Sequence, residues 1–229
     1  MIVGILQPSY LPWLGYFDQI YHADTFVLYD DVQFDKGGWR NRNRIKTSQG
    51  VQWLTVPVLK KRNRFVLIKD IRINGNVSWQ KKHIKALSQN YCKTAFYRHY
   101  SYQLYEILNR DWRFLIDLNL EIISWFCQTL MIDTRLIRSS ELGIAGRGNQ
   151  RLVDIINALG SNVFFEGSSG KNYIDEQAFT EAGISIQYQD YIHPVYRQQY
   201  GKFIPYLSAI DLIFNHGPNS LNIIVNGEK

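Results

Sequence analysis

The sequence predicts an α/β fold: a Rossmann-like, mainly parallel sheet of about five strands with a β-hairpin and a helical insertion. Three observations predict it. Short apolar runs, which suit strands buried on both faces, open the chain and return after residue 134. Stretches with helical spacing alternate with these runs, as right-handed β-α-β units require. A block of helical pattern, about residues 78–132, interrupts the alternation as an insertion.

The first β-α-β unit occupies the start of the chain. "IVGIL" is wholly apolar and stops at Gln7-Pro8, which predicts a buried strand and its end. Leu11 to Ala23 has helical spacing, and Pro12 suits the first turn, where a missing N–H costs little. "TFVLYDDVQF" predicts the second strand.

The insertion begins with polar sequence. "DKGGWRNRNRIK" is typical of a basic loop, and "VQWLTVPVL" and "RFVLIKDIRI" predict an antiparallel hairpin around the turn "KKRNR". Helical patterns follow at 78–90, 95–109 and 114–131. The alternation then returns, with strands at "TRLIRSSEL", "NVFFEG" and "ISIQYQDY" and helices at "GNQRLVDIINALG", "IDEQAFTEAG" and "YLSAIDLIFNHG". We interpret residues 1–229 as a single domain.

Composition limits the class of protein and its partners. With 45% hydrophobic and 20% charged residues the chain is globular, and its net charge of +6 favours an anionic partner, a nucleotide as well as RNA. Cys92 and Cys127 lack a metal-binding spacing, so we expect buried, reduced thiols and no metal site. The apolar N-terminal run is too short for a signal peptide, and no stretch holds the roughly 18 apolar residues of a membrane span. We therefore expect a cytoplasmic protein without a membrane span.

Ligands of open α/β sheets bind beyond the carboxyl ends of the strands, where four polar loops are predicted here. The first loop is "QPSYLPWLGYF", in which Gln7 offers a donor and an acceptor and the following helix offers its N-terminus to an anion. Its candidate substrate-binding residues are Gln7, Pro8, Tyr10, Trp13, Gly15 and Tyr16. The alternative is that its aromatic side chains only pack in the core.

The second loop is "YDDVQFDKGGWRNRNR". Adjacent strand residues point oppositely, so we expect only one of Asp30 and Asp31 to face a ligand, with Asp31 the candidate for taking a proton from an amine. Three arginines at alternate positions beside an indole suit a phosphate clamp, because guanidinium groups bind phosphate bidentately. The candidate substrate-binding residues are Asp30, Gln33, Trp39, Arg40, Arg42 and Arg44. A solvated basic loop is the alternative.

The third and fourth loops follow the last two predicted strands. "EGSSGKNYIDE" has the glycines and serines of an anion-binding nest, and Glu166 at the strand end is a candidate acid or base. "QDYIHPVYRQQYGKF" contains His193, a candidate for proton transfer whose alternative is a hydrogen-bonded turn residue. The candidate substrate-binding residues here are Gly167, Ser168, Ser169, Lys171, Tyr173 and Tyr196.

Over nearly its whole length the chain resembles the WbqC-like family of bacterial proteins. The matching segments are "QPSYLPWLGYF", "DDVQF", "WRNRNRIK", "WLTVPV", "SSEL", "RLVDIINALG", "EGSSGKNYID", "HPVY" and "SAIDLIFNHG". Family members often begin the first of these with His-Gln-Pro, whereas Leu6 takes the histidine position here. The resemblance implies a role in gene clusters for O-antigen and other surface polysaccharides, and a transferase that adds glycine or a related acyl group to an amino sugar.

Our hypothesis takes a nucleotide-linked amino sugar as the acceptor, and an ATP-activated amino acid or a charged tRNA as the donor. The cofactor stays open, with ATP and Mg²⁺ as candidates, and DNA is not expected as a partner. A weaker similarity links the first β-α-β unit to nucleotidyltransferase-like α/β enzymes such as pantothenate synthetase. Their His-x-Gly-His turn on ATP phosphates is replaced by Trp13-Leu14-Gly15-Tyr16, which keeps only the glycine.

Two other classes of function stay open. A non-catalytic RNA or nucleotide binder would use Trp39 and the arginine run, with "KKRNR" as a second basic patch. A structural partner in a polysaccharide assembly complex would use the helical insertion, where an exposed patch is expected from Tyr97, Tyr100, Tyr102 and Tyr105.

Overall fold

The computed structural model describes residues 1–35, 37–59 and 65–227, so the predicted turn "KKRNR" lies outside the described residues. Internal contacts divide the chain into two compact units. Unit 1 comprises Met1–Gln7, Gly15–Asp31 and Ile132–Ile192. Unit 2 comprises Pro8–Leu14, Val32–Met131 and His193–Lys229.

The elements of the described residues follow in chain order. The strands are β1 (Ile2–Leu6), β2 (Thr25–Leu28), β3 (Arg42–Thr47), β4 (Gly50–Thr55), β5 (Val58–Leu59), β6 (Arg72–Ile73), β7 (Arg135–Arg138), β8 (Val163–Glu166) and β9 (Ser185–Tyr188). The α-helices are α1 (Leu14–Tyr21), α2 (Trp79–Tyr91), α3 (Tyr97–Asn109), α4 (Leu115–Leu130), α5 (Gly148–Ala158), α6 (Glu176–Glu181), α7 (Ala209–His216) and α8 (Ser220–Asn226).

Unit 1 is built on the predicted parallel sheet. Its five strands have the order β7-β2-β1-β8-β9, and every neighbouring pair is parallel. The chain moves outward from β1 to β2 and β7, then returns to the other side of β1 with β8 and β9. This is the Rossmann order, in which ligands bind where the direction reverses, beyond the carboxyl ends of β1 and β8. The predicted fold class is confirmed.

Apolar side chains cover the strands of unit 1 because the sheet is buried. Val3, Ile5 and Phe164 belong to a core cluster with residues of α5 and α6, and the ring of Phe164 stacks on Phe179 with centroids 5.4 Å apart. Each such side chain contributes about 1.5–3 kcal/mol on full burial. At Gly4 a Cβ atom would lie 2.7 Å from the Phe26 ring, so only glycine fits in this strand.

Unit 2 contains the helical insertion and a hairpin that differs from the prediction. The segment predicted as a basic loop is strand β3, and it pairs antiparallel with β4 across the two residues that follow Thr47. Gly50 takes a positive φ of 105° at the end of this turn. The predicted pairing of "VQWLTVPVL" with "RFVLIKDIRI" is confirmed only where β5 meets β6, Val58 opposite Ile73.

The three predicted helices of the insertion are confirmed within about two residues as α2, α3 and α4. Helix α4 ends where Met131 takes a left-handed conformation, with φ of 56°. Cys127 is buried in α4, but Cys92 at the end of α2 is exposed, contrary to the prediction. No helix in the described part of the chain is long and apolar enough to cross a membrane.

Candidate functional site

The first candidate centre lies at the carboxyl end of β8 in unit 1. Glu166 ends this strand, and the chain then turns through a short 3-10 helix, Ser168–Asn172. Gly170 is required in this turn, because a Cβ atom there would overlap Cγ of Glu166. Glu166 is 3% exposed, and the hydroxyl of Tyr173 donates a 3.0 Å hydrogen bond to its Oε1. We call this group the Glu166 site.

The environment of Glu166 suits it to proton exchange. Burial raises the pKa of its carboxyl group to about 7, and hydrogen bonds from Tyr173 and from the Gly167 backbone lower the pKa by less. A carboxyl group with this pKa gains and loses a proton near neutral pH, where an ordinary glutamate stays ionised. Tyr173 is 59% exposed, and its hydroxyl hydrogen-bonds the buried carboxyl group.

Residues of α1 contact the loops that follow β8 and β9. Nε2 of the buried Gln189 donates to the Gly15 carbonyl at 2.9 Å and to Oδ2 of Asp18 at 2.6 Å. A Cβ atom at Gly167 would lie 2.9 Å from Nε2 of Gln19. Polar groups of α1 and of the loops after β8 and β9, all in unit 1, therefore line the switch point of the sheet. The sequence pattern gave no signal for Asp18, Gln19 or Gln189.

The two adjacent aspartates form a separate network in unit 1. Strand β2 ends at Leu28, so strand alternation does not apply to Asp30 and Asp31, and the hydroxyl of Ser139 hydrogen-bonds both. Asp30 is fully buried, and Arg138 binds its Oδ2 through two nitrogens at 2.8 Å. Burial raises the pKa of Asp31, but hydrogen bonds from Arg151 and Ser139 and the Arg151 charge outweigh it and lower the pKa overall. Both carboxyl groups therefore bind arginine and serine side chains of the protein itself.

In unit 2, two buried asparagines hold the backbone of the opening stretch. Nδ2 of Asn43 donates to the Leu11 carbonyl at 2.7 Å, and Nδ2 of Asn119 donates to the Pro8 carbonyl at 3.5 Å and the Arg40 carbonyl at 2.8 Å. Leu11 has a left-handed backbone, with φ of 45°. The proline-rich turn is therefore held by hydrogen bonds from side chains elsewhere in unit 2.

The aromatic residues of the opening stretch divide between core and surface. Tyr10 is fully buried and its hydroxyl forms a 2.8 Å hydrogen bond with Nδ1 of His83, and Tyr16 is 2% exposed in the core. Trp13 is partly exposed and stacks on His193, with centroids 6.3 Å apart and planes 17° apart. Its ring also packs against that of Tyr206, with centroids 5.7 Å apart. Of these three aromatic candidates, only Trp13 retains exposed ring surface that a ligand could contact.

His193 is placed as a turn residue beside Trp13. Its Nδ1 pairs with the Pro194 carbonyl at 2.8 Å, and its Nε2 accepts from the backbone N–H of Tyr206 at 3.1 Å. Burial lowers the pKa of the imidazole, while backbone hydrogen bonds raise it by less. His193 is therefore a neutral ring with both nitrogens hydrogen-bonded to backbone.

The second candidate centre is an exposed surface on the β3–β4 hairpin of unit 2. It consists of Trp39, Arg42, Arg44 and Trp53, and we call it the Trp-Arg surface. The two indoles are 40% and 43% exposed, with ring centroids 5.3 Å apart. The Arg42 guanidinium lies 4.4 Å from the Trp53 centroid, and that of Arg44 lies 5.4 Å from the Trp39 centroid. These distances are typical of cation-π contacts.

Hydrogen bonds hold the guanidinium groups of this surface in position, but some of their N–H donors have no partner among the described residues. Arg42 donates to the Gly37 carbonyl, and Arg44 donates to the Tyr206 carbonyl at 2.8 Å. Nε of Arg42 and Nε of Arg44 are buried and have no hydrogen-bond partner among the described residues. Arg40 differs, because it is held by Asp35 at 3.3 Å and by the Ser9 hydroxyl at 2.9 Å. Of the three arginines of the predicted clamp, Arg42 and Arg44 are the two that lie against the exposed indoles.

A buried network of unit 2 was not predicted. Lys46 of β3 is 1% exposed, and its Nζ donates to Oε1 of Gln198 at 3.1 Å. Asp211 is fully buried and accepts from the hydroxyls of Tyr91 at 2.8 Å and Tyr196 at 3.0 Å. Burial raises the pKa of Asp211 to about 6, although these hydrogen bonds and the Lys46 charge lower it. Tyr196, a predicted substrate-binding residue, is part of this interior network.

Four more of the predicted substrate-binding residues are exposed, while Gln7 is half-buried. Ser168, Ser169 and Lys171 are exposed in the turn after β8, and Gln33 is exposed at a bridge to Leu67. Of the four tyrosines of the predicted patch in the insertion, Tyr100 is buried, with 8% of its surface exposed. Tyr97 and Tyr105 hydrogen-bond each other at 3.0 Å, while Tyr102 is 70% exposed. No group of three metal-binding side chains occurs in the ranges that the structure describes.

Comparison with known proteins identifies the family. The family model of the WbqC-like protein family matches residues 7–223. This chain belongs to the WbqC-like family. The match spans both the Glu166 site and the Trp-Arg surface of this WbqC-like protein. The chain is also 39% identical over 217 residues to "Uncharacterized protein Rv1507c" of Mycobacterium tuberculosis (strain ATCC 25618 / H37Rv), covering 94% of each chain. No solved structure matched.

Proposed function

We propose that this WbqC-like protein is a transferase of bacterial surface-polysaccharide (O-antigen) biosynthesis. It adds glycine or another acyl group to the amino group of a nucleotide-linked amino sugar. The observation that supports a catalytic role is Glu166, a buried carboxyl group with a pKa of about 7 at the switch point of a Rossmann-order sheet.

The proposed reaction needs one proton acceptor. An amino sugar is an ammonium ion at neutral pH, and its nitrogen attacks an acyl carbon only after losing a proton. Glu166 takes that proton and Tyr173 passes it to solvent. The C–N bond forms as the bond between the acyl carbon and the donor's leaving group breaks. The leaving group keeps the bonding electrons and takes the second proton, which the nitrogen loses as it becomes an amide. The donor is an ATP-activated amino acid, with Mg²⁺ on ATP, or a charged tRNA.

Glu166 is a better proton acceptor than the other two candidates. Asp31 is bound to Arg151 and its pKa is lowered, so it holds a proton poorly at neutral pH. His193 uses both ring nitrogens in backbone hydrogen bonds. We assign Asp31 to positioning within unit 1.

The test is transfer of labelled glycine to a panel of nucleotide-linked amino sugars, in the presence of ATP and Mg²⁺ or of glycyl-tRNA. Glu166→Gln should lower the rate by about 10²–10⁴-fold while calorimetry shows unchanged acceptor binding. The wild-type rate should rise with pH through about 7, where the carboxylate forms. Glu181→Gln, which alters an exposed carboxylate of unit 1, is the control. Absence of acceptor binding across the panel would refute the proposal.

A second candidate function is non-catalytic binding of a nucleotide or single-stranded RNA. The observation that favours it is the Trp-Arg surface, because exposed indoles stack on bases and arginines contact phosphates. Such binding weakens steeply as salt rises, in proportion to the number of phosphates contacted. A protein that binds RNA in this way but transfers no acyl group would favour this second function.

A further inference from the structure

A polar cleft in unit 2 is a separate candidate for ligand binding. Its volume is about 650 Å³, and it lies between the end of α2 and the chain segment that leads to α7. Sites for small molecules have volumes of roughly 300–1,000 Å³. None of its lining residues belongs to the Glu166 site or to the Trp-Arg surface.

The charged groups of the cleft all have one sign. Lys93 and Arg197 contribute to its wall, and no carboxylate side chain does. A cleft lined by basic groups alone concentrates anions. Arginine binds phosphate oxygens bidentately, and lysine adds a mobile positive charge. These residues therefore favour a ligand that carries a phosphate group.

The neutral polar groups of the cleft are held in place by hydrogen bonds. Nδ2 of Asn215 donates to Oε1 of Gln199 at 2.9 Å, and the Tyr200 hydroxyl donates to the Asn90 carbonyl at 2.9 Å. Oε1 of Gln198 accepts from the buried Nζ of Lys46 at 3.1 Å, so the interior network anchors this wall. Fixed amides and hydroxyls orient ligands that carry several hydroxyl groups.

We propose that this cleft binds a small phosphorylated polyol, such as a sugar phosphate. Its phosphate lies against Arg197 and Lys93, and its hydroxyls lie against the amides of Gln199 and Asn215. The proposal is independent of acyl transfer, because no residue of the cleft belongs to the proposed catalytic or nucleotide-binding groups.

The test is calorimetric titration of the full chain with glucose 6-phosphate, inorganic phosphate and glucose. Glucose 6-phosphate should bind saturably, phosphate more weakly and glucose not at all. The double variant Lys93→Glu/Arg197→Glu should lose about tenfold or more in affinity, because charge-assisted hydrogen bonds are removed. Lys85→Glu/Arg98→Glu makes the same change in net charge at exposed positions outside the cleft and should keep the affinity.

Three outcomes would overturn the proposal: no saturable binding of either phosphate-bearing probe, equal loss in both double variants, or glucose binding as well as its phosphate. Thermal unfolding checks that both variants fold, which we expect because all four altered side chains are exposed. The single variant Arg197→Gln, which removes one charge, gives an independent measure and should also weaken binding of glucose 6-phosphate.

Discussion

At the scale of single residues, the lack of a side chain at one glycine determines the pKa of Glu166. Gly170 leaves the space that the Glu166 side chain occupies, and burial in that space raises the pKa to about 7. Gly170→Ala should push the carboxyl group out of its pocket and return its pKa toward the ordinary value of 4.5. Titration of the glutamate carboxyl carbons by NMR measures this shift without an activity assay.

The control for this prediction is a glycine with open space. Gly75→Ala meets nothing within 4 Å, so the Glu166 titration should stay near 7. If Gly170→Ala also left the titration near 7, steric control by Gly170 would be wrong. The catalytic role of Glu166 would then need another explanation for its raised pKa.

The location of a site residue could be predicted where the residue directly ends a strand of the sheet. Glu166 ends an apolar run, so its location at the carboxyl edge followed from the sequence. Gln189 was not predictable as a contact of Gly15, because 174 residues separate them and a single glutamine carries no pattern. Tyr10 and Trp13 lie in one motif, yet one is buried and the other partly exposed, a difference that only tertiary packing determines.

At the scale of elements, the β3–β4 hairpin shows why a charged strand resembles a loop in sequence. Arg42 and Arg44 alternate with Asn43 and Ile45, and only the second pair is buried. With an asparagine on the inner face, the alternation of apolar and polar residues that identifies a strand is weak. The sequence therefore predicts that "VQWLTVPVL" pairs with the more apolar segment that follows it. The short turn before Gly50 favours pairing with the segment that precedes it, as the structure has it.

This hairpin makes a prediction about nucleic-acid binding. Trp53→Ala should weaken binding of a single-stranded oligouridine by about 1–3 kcal/mol through lost stacking. Arg44→Ala should weaken binding and lower the slope of log affinity against log salt by about one phosphate contact. Fluorescence anisotropy at several salt concentrations measures both effects. Tyr102→Ala removes a ring that is 70% exposed on α3 and should change neither quantity.

Equal losses for Trp53→Ala and Tyr102→Ala would contradict binding at the Trp-Arg surface. A salt slope that Arg44→Ala leaves unchanged would show that its guanidinium contacts no phosphate. Arg44→Lys separates charge from geometry, because lysine keeps the charge but loses the planar group that stacks on Trp39.

At the scale of the whole molecule, the parallel sheet was predictable and its division into units was not. The three central strands, β1, β2 and β8, coincide with apolar runs that the sequence marks, because a sheet covered on both faces disfavours polar residues. The edge strands β7 and β9 contain polar residues. The residues of the opening stretch, 8–14, group with unit 2, although they follow the first strand of unit 1. That assignment depends on partners such as Asn43 and Asn119, which lie far along the chain.

Two buried groups should give the stability of the molecule opposite dependences on pH. The folded-state pKa of Glu166, about 7, exceeds its ordinary 4.5, so its contribution favours folding at low pH and is lost as pH rises between these values. His83 is buried, which lowers its pKa from 6.5 to about 4. The contribution of His83 to folding stability is present above pH 6.5 and is lost as the pH falls toward 4. Each amounts to roughly 3 kcal/mol.

The two contributions are separable with neutral substitutions. Between pH 5 and 7, the free energy of unfolding of Glu166→Gln should rise relative to wild type, because the variant carries no buried carboxylate. That of His83→Gln should fall relative to wild type over the same range, because the wild type regains the neutral imidazole. Urea unfolding followed by circular dichroism measures both differences. The six tryptophans all belong to unit 2, so their fluorescence checks the His83 difference in its own unit. Parallel pH dependences in the two variants would show that these groups do not oppose each other.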